Sequence, residues 1–432
     1  MHRARWIVLV ALLPAAARAQ WLDVKKLGTA GEPFVSTDGQ GHVYVTGHLP
    51  ATVFTSDDWG ATFTARPFDG YCDISTYAWP GGAVNRLWMT AKPWGIKAAR
   101  STDFGKTWTE SVTLDGPVDR PWFAAHPPTG RIWFLYVDGY IGHEPVPGKG
   151  SVLNGVFLAG STDGGKTFAK RGRVDREPDG RYGADPYLAC SADGTLYAMW
   201  GVTRDKNTIA SYELARSSDG GASFGPAQTL VQVRQDLGDT QERWMLASLV
   251  AVGASTVVAF CPDYDSIDAG DRVVPAMVIR YRVSTDGGVT FGKARTVSAA
   301  DELGFATARF EAAKTAGARV NSYVQTLTWA CVDPWGRVHV GFQDNRDGHA
   351  PANEGTQNRW HVRVATMTDL VHGFGPSERV SASVVQARPS LDFLGLAADR
   401  KFLYVAWSEQ RHSTEAFTGD LYLGRKPLRA PK

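Results

Sequence analysis

The sequence predicts an all-β fold, a seven-bladed β-propeller of four-stranded antiparallel blades, and three observations carry the prediction. The phrase Ser-x-Asp-x-Gly-x-(Thr/Ser)-(Phe/Trp) occurs five times, beginning at Ser56, Ser101, Ser161, Ser217 and Ser284, and such recurrence marks one supersecondary unit copied along the chain. Seven short apolar stretches, residues 43–46, 87–90, 132–137, 196–200, 257–261, 338–342 and 403–407, recur around the phrases. Turn signals stand before most of them, among them Asp38-Gly39, Thr129-Gly130, Asp193-Gly194, Pro334-Trp335-Gly336 and Asp399-Arg400.

Taken from the N-terminus, residues 1–19 read as a secretory signal. Arg3 and Arg5 precede an apolar run from Trp6 to Leu13, and Ala17-Arg18-Ala19 is a small-x-small cleavage site. The run is too short to span a bilayer. The expected product is a monomeric protein, secreted or periplasmic, with no membrane insertion. Residues 20–432 then form a single propeller domain.

Each unit reads as strand, tight turn, strand, longer loop, strand, boxed turn and strand. The short apolar stretches Ile132-Trp133-Phe134-Leu135-Tyr136 and Leu196-Tyr197-Ala198-Met199-Trp200, each preceded by a turn signal, support the strands. Two of the seven units lack a good box. The sixth keeps a worn version at Thr366-Met367-Thr368-Asp369, and the seventh runs out after a third strand near Asp420. Its outer strand is expected from residues 21–27, which would close the ring and remove the last open sheet edge. A six-bladed ring is the alternative.

Composition excludes several function classes. The 432 residues carry a net charge of +2 with both signs interspersed, so nothing points to nucleic acid or an anionic membrane. Cys72, Cys190, Cys261 and Cys331 are too few and too dispersed for a disulfide scaffold, and no Cys-x-x-Cys pair suggests zinc. Buried free thiols compete with bridges, and no cofactor or metal is expected.

The recurrent chemistry lies where the inner strands begin. These open with Glu32-Pro33, Asp73-Ile74, Asp119-Arg120-Pro121, Asp185-Pro186, Glu242-Arg243, Asn321-Ser322-Tyr323 and Arg388-Pro389. Carboxylates, arginines and a tyrosine thus converge on the mouth of a central channel, a concave place for a ligand. Singly, each also reads as a loop end that hydrogen-bonds the next blade. The loops after the second strands, Arg204-Asp205, Asp263-Tyr264-Asp265, Asp344-Asn345-Arg346-Asp347 and Glu409-Gln410-Arg411-His412, add polar groups beside aromatics and suit sugars. Asp263, Asp265, Asp268 and Asp271 lack the glycine and terminal glutamate of an EF-hand and read as a solvated acidic loop. His126 and His143 flank the third unit's second strand as a candidate acid and base pair, or as structural residues.

The boxed phrase resembles the Asp box, or bacterial neuraminidase repeat, of the sialidase-like propellers, over essentially the whole mature chain. In that family the boxes lie on the face opposite the active site, which makes Asp58, Asp103, Asp163, Asp219 and Asp286 structural. The resemblance implies a glycoside hydrolase acting on glycans, acidic ones included. It implies Tyr323 as nucleophile, Glu242 as its partner, Asp73 or Asp119 as acid/base, and Arg243 and Arg388 as substrate clamps, with Arg120 and Asp185 completing the binding set. Where that family has Phe/Tyr-Arg-Ile-Pro, this chain has Gly31-Glu32-Pro33-Phe34. A non-catalytic propeller that binds glycan or protein is the second reading.

Overall fold

The computed structural model describes residues 21–91, 93–139, 155–176, 181–203, 209–234, 246–268, 273–298, 323–346, 359–381, 385–386, 393–409 and 419–431. It is a ring of seven antiparallel blades. From the axis outward, blade one is Gly31–Thr37, Val43–His48, Thr52–Ser56 and Thr64–Pro67. Blade two is Ser75–Ala78, Val84–Ala91, Trp94–Ser101 and Thr109–Asp115. Blade three is Val118–His126, Arg131–Asp138, Gly155–Ser161 and Ala169–Arg173. Blade four is Tyr182–Cys190, Leu196–Thr203, Ile209–Ser217 and Gln228–Gln232.

Blade five is Ser248–Val252, Thr256–Asp268, Val273–Ser284 and the two-residue Arg295–Thr296. Blade six is Tyr323–Val332, Val338–Asp344 and Arg359–Asp369, edged by short pieces. Blade seven has Gly395–Ala398, Phe402–Glu409 and Asp420–Pro427, and its outermost strand is Leu22–Thr29. The first and last strands therefore share one sheet. Blades five and six merge, because Tyr323 and Val324 run parallel to Ala276 and Met277 before the strand turns inward as blade six. Among the described residues no helix is long and apolar enough to cross a membrane.

The core lies between blades. The second and third strands are buried on both faces, and the largest fully buried side chains include Trp133, Trp200, Trp360 and Trp407. The five boxes repeat one hydrogen-bond pattern. The serine hydroxyl donates to the aspartate at 2.7 to 2.8 Å and accepts the glycine N–H at 2.8 to 2.9 Å. The aspartate also takes the N–H and hydroxyl of the Thr or Ser four residues on. Two consecutive positions have positive φ, Gly164 and Gly165 at +75° and +80° in blade three, with Trp59 and Phe104 filling the first of them in blades one and two.

Boxed turns lie beside the first turn of their own blade, as Gly164 N–H to Gly130 O at 2.9 Å shows. The preceding blade docks on them: Arg100 on Gly164 O, Trp133 on Gly220 O, Arg216 on Gly287 O and Arg425 on Trp59 O. In the worn sixth copy, Asp369 still accepts the N–H groups of Val371 and His372.

Candidate functional site

The pairing registers define one equivalent position in each blade. The second-strand partner of each box serine pairs in turn with an inner-strand residue, namely Thr37, Ala78, Ala125, Cys190 and Ala251. Five residues before these stand Glu32, Asp73, Arg120, Asp185 and Leu246. Val332 and Ala398 occupy the same place in the last two blades, which makes Leu327 and Phe393 their counterparts. Four polar residues from blades one to four thus face three apolar ones from blades five to seven.

Backbone strain marks the same ring. Glu32, Asp73, Arg120, Asp185 and Leu327 have φ of +47°, +49°, +56°, +44° and +54°, where a side chain costs energy. In blades one, three, four and six the inner-strand register slips at this residue. Such bulges re-aim a side chain and free an N–H from the ladder. The freed N–H groups are used between blades: Asp73 donates to Glu32 Oε2 at 3.3 Å and Arg120 to Asp73 Oδ2 at 3.0 Å. The Arg120 N–H also meets Asp119 Oδ1 at 2.9 Å, and its guanidinium reaches Asp185 at 3.4 Å. The result is an unbroken polar arc across four blades.

The arc's electrostatics follow from its burial. All five polar groups are buried. Burial, then the Glu32 and Asp119 charges, push the Asp73 carboxyl well above the usual carboxylate range, against the pull of Arg120, and Asp73 hydrogen-bonds Asp119. Burial also raises Asp185, partly offset by Arg120. For Glu32, burial is outweighed by His48, whose Nδ1 stands 2.5 Å from Oε2, so its carboxyl lies below the usual range. Ligand atoms of Glu32, Cys72 and Asp73 lie within 4.8 Å of one another. They suit hydrogen bonding better than a metal, since Glu32 is held by His48, Asp73 favours its proton, and burial drives the Cys72 thiol well up.

An aromatic plug closes the channel next to the arc. Trp122, Leu246, Leu327 and Phe393 form one buried cluster with Phe34 and Trp329 against it. Side chains from five blades can meet only on the ring axis. Trp122 packs edge-on to Phe393 at 4.8 Å and to Trp329 at 5.2 Å, and the Arg120 guanidinium lies over the Phe393 ring at 4.8 Å.

The expected site residues therefore divide. Asp73, Asp119, Arg120 and Asp185 are brought together. Tyr323 stands in the seam beside Ala276, four residues ahead of the channel position held by Leu327. Glu242, Arg243 and Arg388 lie outside the described residues, and the positions counted to the channel in their blades are Leu246 and Phe393. The Glu-Pro and Asp-Pro cue is absent there, and the residues expected in blades five to seven stand three to five residues before these positions. A better signal is the aromatic two residues on, in Glu32-Pro33-Phe34, Arg120-Pro121-Trp122, Asp185-Pro186-Tyr187 and Leu327-Thr328-Trp329. His48 had no such signal.

Other expectations also move. His126 is tied to Thr129 Oγ1 at 2.9 Å and Ala192 O at 3.0 Å on the boxed-turn face, and His143 lies outside the described residues. Asp263 and Asp265 sit in a long strand rather than a loop and share Arg280, at 3.5 and 2.7 Å. Asp271 lies outside the described residues. Asp344 binds Arg346 and Arg363, and Glu409 accepts the Trp407 indole N–H at 3.0 Å. All four cysteines are free.

No family model matches the chain, and no curated protein does. Among solved structures, a protein of unknown function from Dyadobacter fermentans is similar at 15% identity over 94% of this chain and 99% of its own, with a TM-score of 0.47. An alpha-L-arabinanase of Penicillium chrysogenum, complexed with arabinobiose, is 12% identical over 81% of this chain and 90% of its own, with a TM-score of 0.45. An ulvan lyase representing a new polysaccharide lyase family is 9% identical over 89% and 81%, with a TM-score of 0.46. Likeness at this level transfers no chemistry, and the propeller itself rests on the strand pairing above.

Proposed function

We propose that the chain is an exported, carbohydrate-active enzyme that breaks a glycosidic linkage at the channel mouth, with Asp73 as proton donor. The observation that carries this reading is the Asp73–Asp119 pair, a buried carboxyl that favours its proton against a second carboxyl group, on a backbone of positive φ. Glycosidic cleavage needs an acid that keeps its proton near neutrality and a second carboxylate to activate water or hold the oxocarbenium charge. Asp119 takes the second role. Glu32, held ionised by His48, keeps Asp73 protonated. Leu246, Leu327 and Phe393 supply the apolar wall on which a sugar ring's C–H face rests.

A neutral glycan is the first substrate class to test. A sialidase-type clamp needs free arginines, and Arg120 already faces Asp185 and Phe393. Residues 1–19 direct the product to the secreted or periplasmic space, where it acts as a monomer. The test is turnover of neutral glycans, uronate polymers and sialosides by the purified mature protein. Asp73→Asn lowers turnover by about 100-fold or more while the protein stays folded. Unchanged turnover in that variant, or no turnover on the whole panel, overturns the reading.

The bonds from Glu32 and Asp73 to the next blade's N–H favour a second reading, a non-catalytic propeller that binds glycan or protein. On that reading Asp73→Asn lowers the melting temperature and no hydrolysis exists to lose.

A further inference from the structure

On the boxed-turn face, away from the channel mouth, a hollow of about 290 Å³ opens at the seam between blades two and three, lined by Arg100, Thr102, Thr107, Thr109, Ser111 and Lys166. We propose that this hollow is an oxyanion-binding site that takes a carboxylate, sulfate or phosphate group on a ligand of about one sugar unit. The volume sits at the small end of ligand pockets, which begin near 300 Å³.

Two cations line it without a carboxylate partner among the described residues. Arg100 uses its Nε on Gly164 O at 3.0 Å, leaving the guanidinium's outer N–H groups for a ligand, and the Lys166 ammonium has no hydrogen bond among the described residues. A guanidinium fork beside an ammonium is the pairing that oxyanions select. The hydroxyls of Thr102 and Thr109 are likewise uncommitted among the described residues, and Thr109 stands directly across from Arg100. The other two hydroxyls are in use, Thr107 on Asp103 at 2.6 Å and Ser111 on Gly165 O at 2.7 Å.

The nearby acids do not compete for these cations. Asp103 is filled by Ser101, Thr107 and the Lys106 N–H, and Asp163 by Ser161, Thr167 and the Lys166 N–H. Glu110 pairs with Lys97 at 3.3 Å.

The pair is particular to this seam. Of the residues just before the box serines, Arg100 and Arg216 are basic, and Arg425 holds the corresponding place in blade seven. The box they reach carries Lys166 only for Arg100; Arg216 meets the box with Val289, and Arg425 the box with Ala61. Lys106, the other boxed lysine at this position, is reached from Thr55. The Arg216 seam thus offers a built-in control, with Val289 where Lys166 stands.

The test is titration of the full mature chain with inorganic sulfate, a sulfated disaccharide, a uronate disaccharide and a neutral disaccharide. Expected is binding of at least one anionic probe and none of the neutral one, weakened about tenfold by Lys166→Gln and by Arg100→Gln, with Arg216→Gln unchanged. Lys166→Gln disturbs no side-chain hydrogen bond among the described residues, so it reads binding even if Arg100→Gln loosens the seam. Sulfate binding as tightly as the disaccharides identifies a free ion as ligand, and disaccharide-only binding identifies a glycan substituent; either supports the site. No anion binding, an unchanged Lys166→Gln, or an equal loss in Arg216→Gln overturns it.

Discussion

In the proposed reaction Asp73 is the proton donor, and its burial between two other acidic groups makes ionisation costly. Its protonated form is the active one in an acid role, so turnover is expected to fall as pH rises through its raised pKa. A pH–rate profile checks this, and Glu32→Gln, which removes one of the charges raising Asp73, moves the alkaline limb to lower pH. The box aspartates behave in the opposite sense. Burial opposes, but together the Thr62 and Ser56 hydroxyls and turn N–H groups outweigh it and hold Asp58 down to about 2, and Asp163 lies at about 2 in the same way. With folded pKa values below the unfolded 3.8, their stabilisation is complete above pH 3.8 and lost as pH falls through the folded values. Acid unfolding monitored below pH 4 is therefore expected to move to higher pH in Asp163→Asn.

At the scale of the element, the boxed turn is a device for joining blades. Ser161 Oγ donates to Asp163 at 2.7 Å and accepts Gly165 N–H at 2.9 Å, and the turn it holds presents Gly164 O to Arg100 and Gly165 O to Asn85 and Ser111. Ser161→Ala leaves both partners short and is expected to cost about 1 to 3 kcal/mol, read as a lower denaturant midpoint with an unchanged slope. Gly165 has no room for a side chain: φ is +80° and an added Cβ would meet Asn85 Nδ2 at 2.2 Å. The bulges at the other end of the blades are the second device. Three of the four show in the sequence, as Glu-Pro, Arg-Pro and Asp-Pro before an aromatic, and the fourth, at Leu327, lacks the polar cue. What recurs is a backbone conformation rather than a charge, and Leu327 adopts it with no charge to announce it.

For the whole molecule, closure decides stability. Leu22–Thr29 supplies the outer strand of the last blade by pairing with Asp420–Pro427, Lys26 meets Asp420 at 2.8 Å, and Ala30 N–H bonds to Gly419 O. Deleting residues 21–29 exposes the edge of that sheet and frees the first blade's seam with it. The expected outcome is a lower melting temperature and aggregation through the open edge, checked by calorimetry and light scattering. The plug of Trp122, Trp329, Phe393 and their neighbours adds the complementary constraint, since it joins five blades at the axis.

The sequence by itself determined the blade count, the strands and the boxed turns, because these depend on local periodicity and on turn chemistry within a few residues. It also singled out Asp73, Asp119, Arg120 and Asp185, which share a local motif. Only the tertiary structure decided what meets around the axis: Arg120 on Asp185 and Phe393, and three apolar residues opposite four polar ones. Those contacts join residues from different blades, while His48 meets Glu32 within blade one through a register set by a bulge that shifts the inner strand without altering its hydrophobic pattern. The hollow between blades two and three was hidden for the same reason, since Arg100 and Lys166 belong to neighbouring copies of one repeat and meet only when the blades pack.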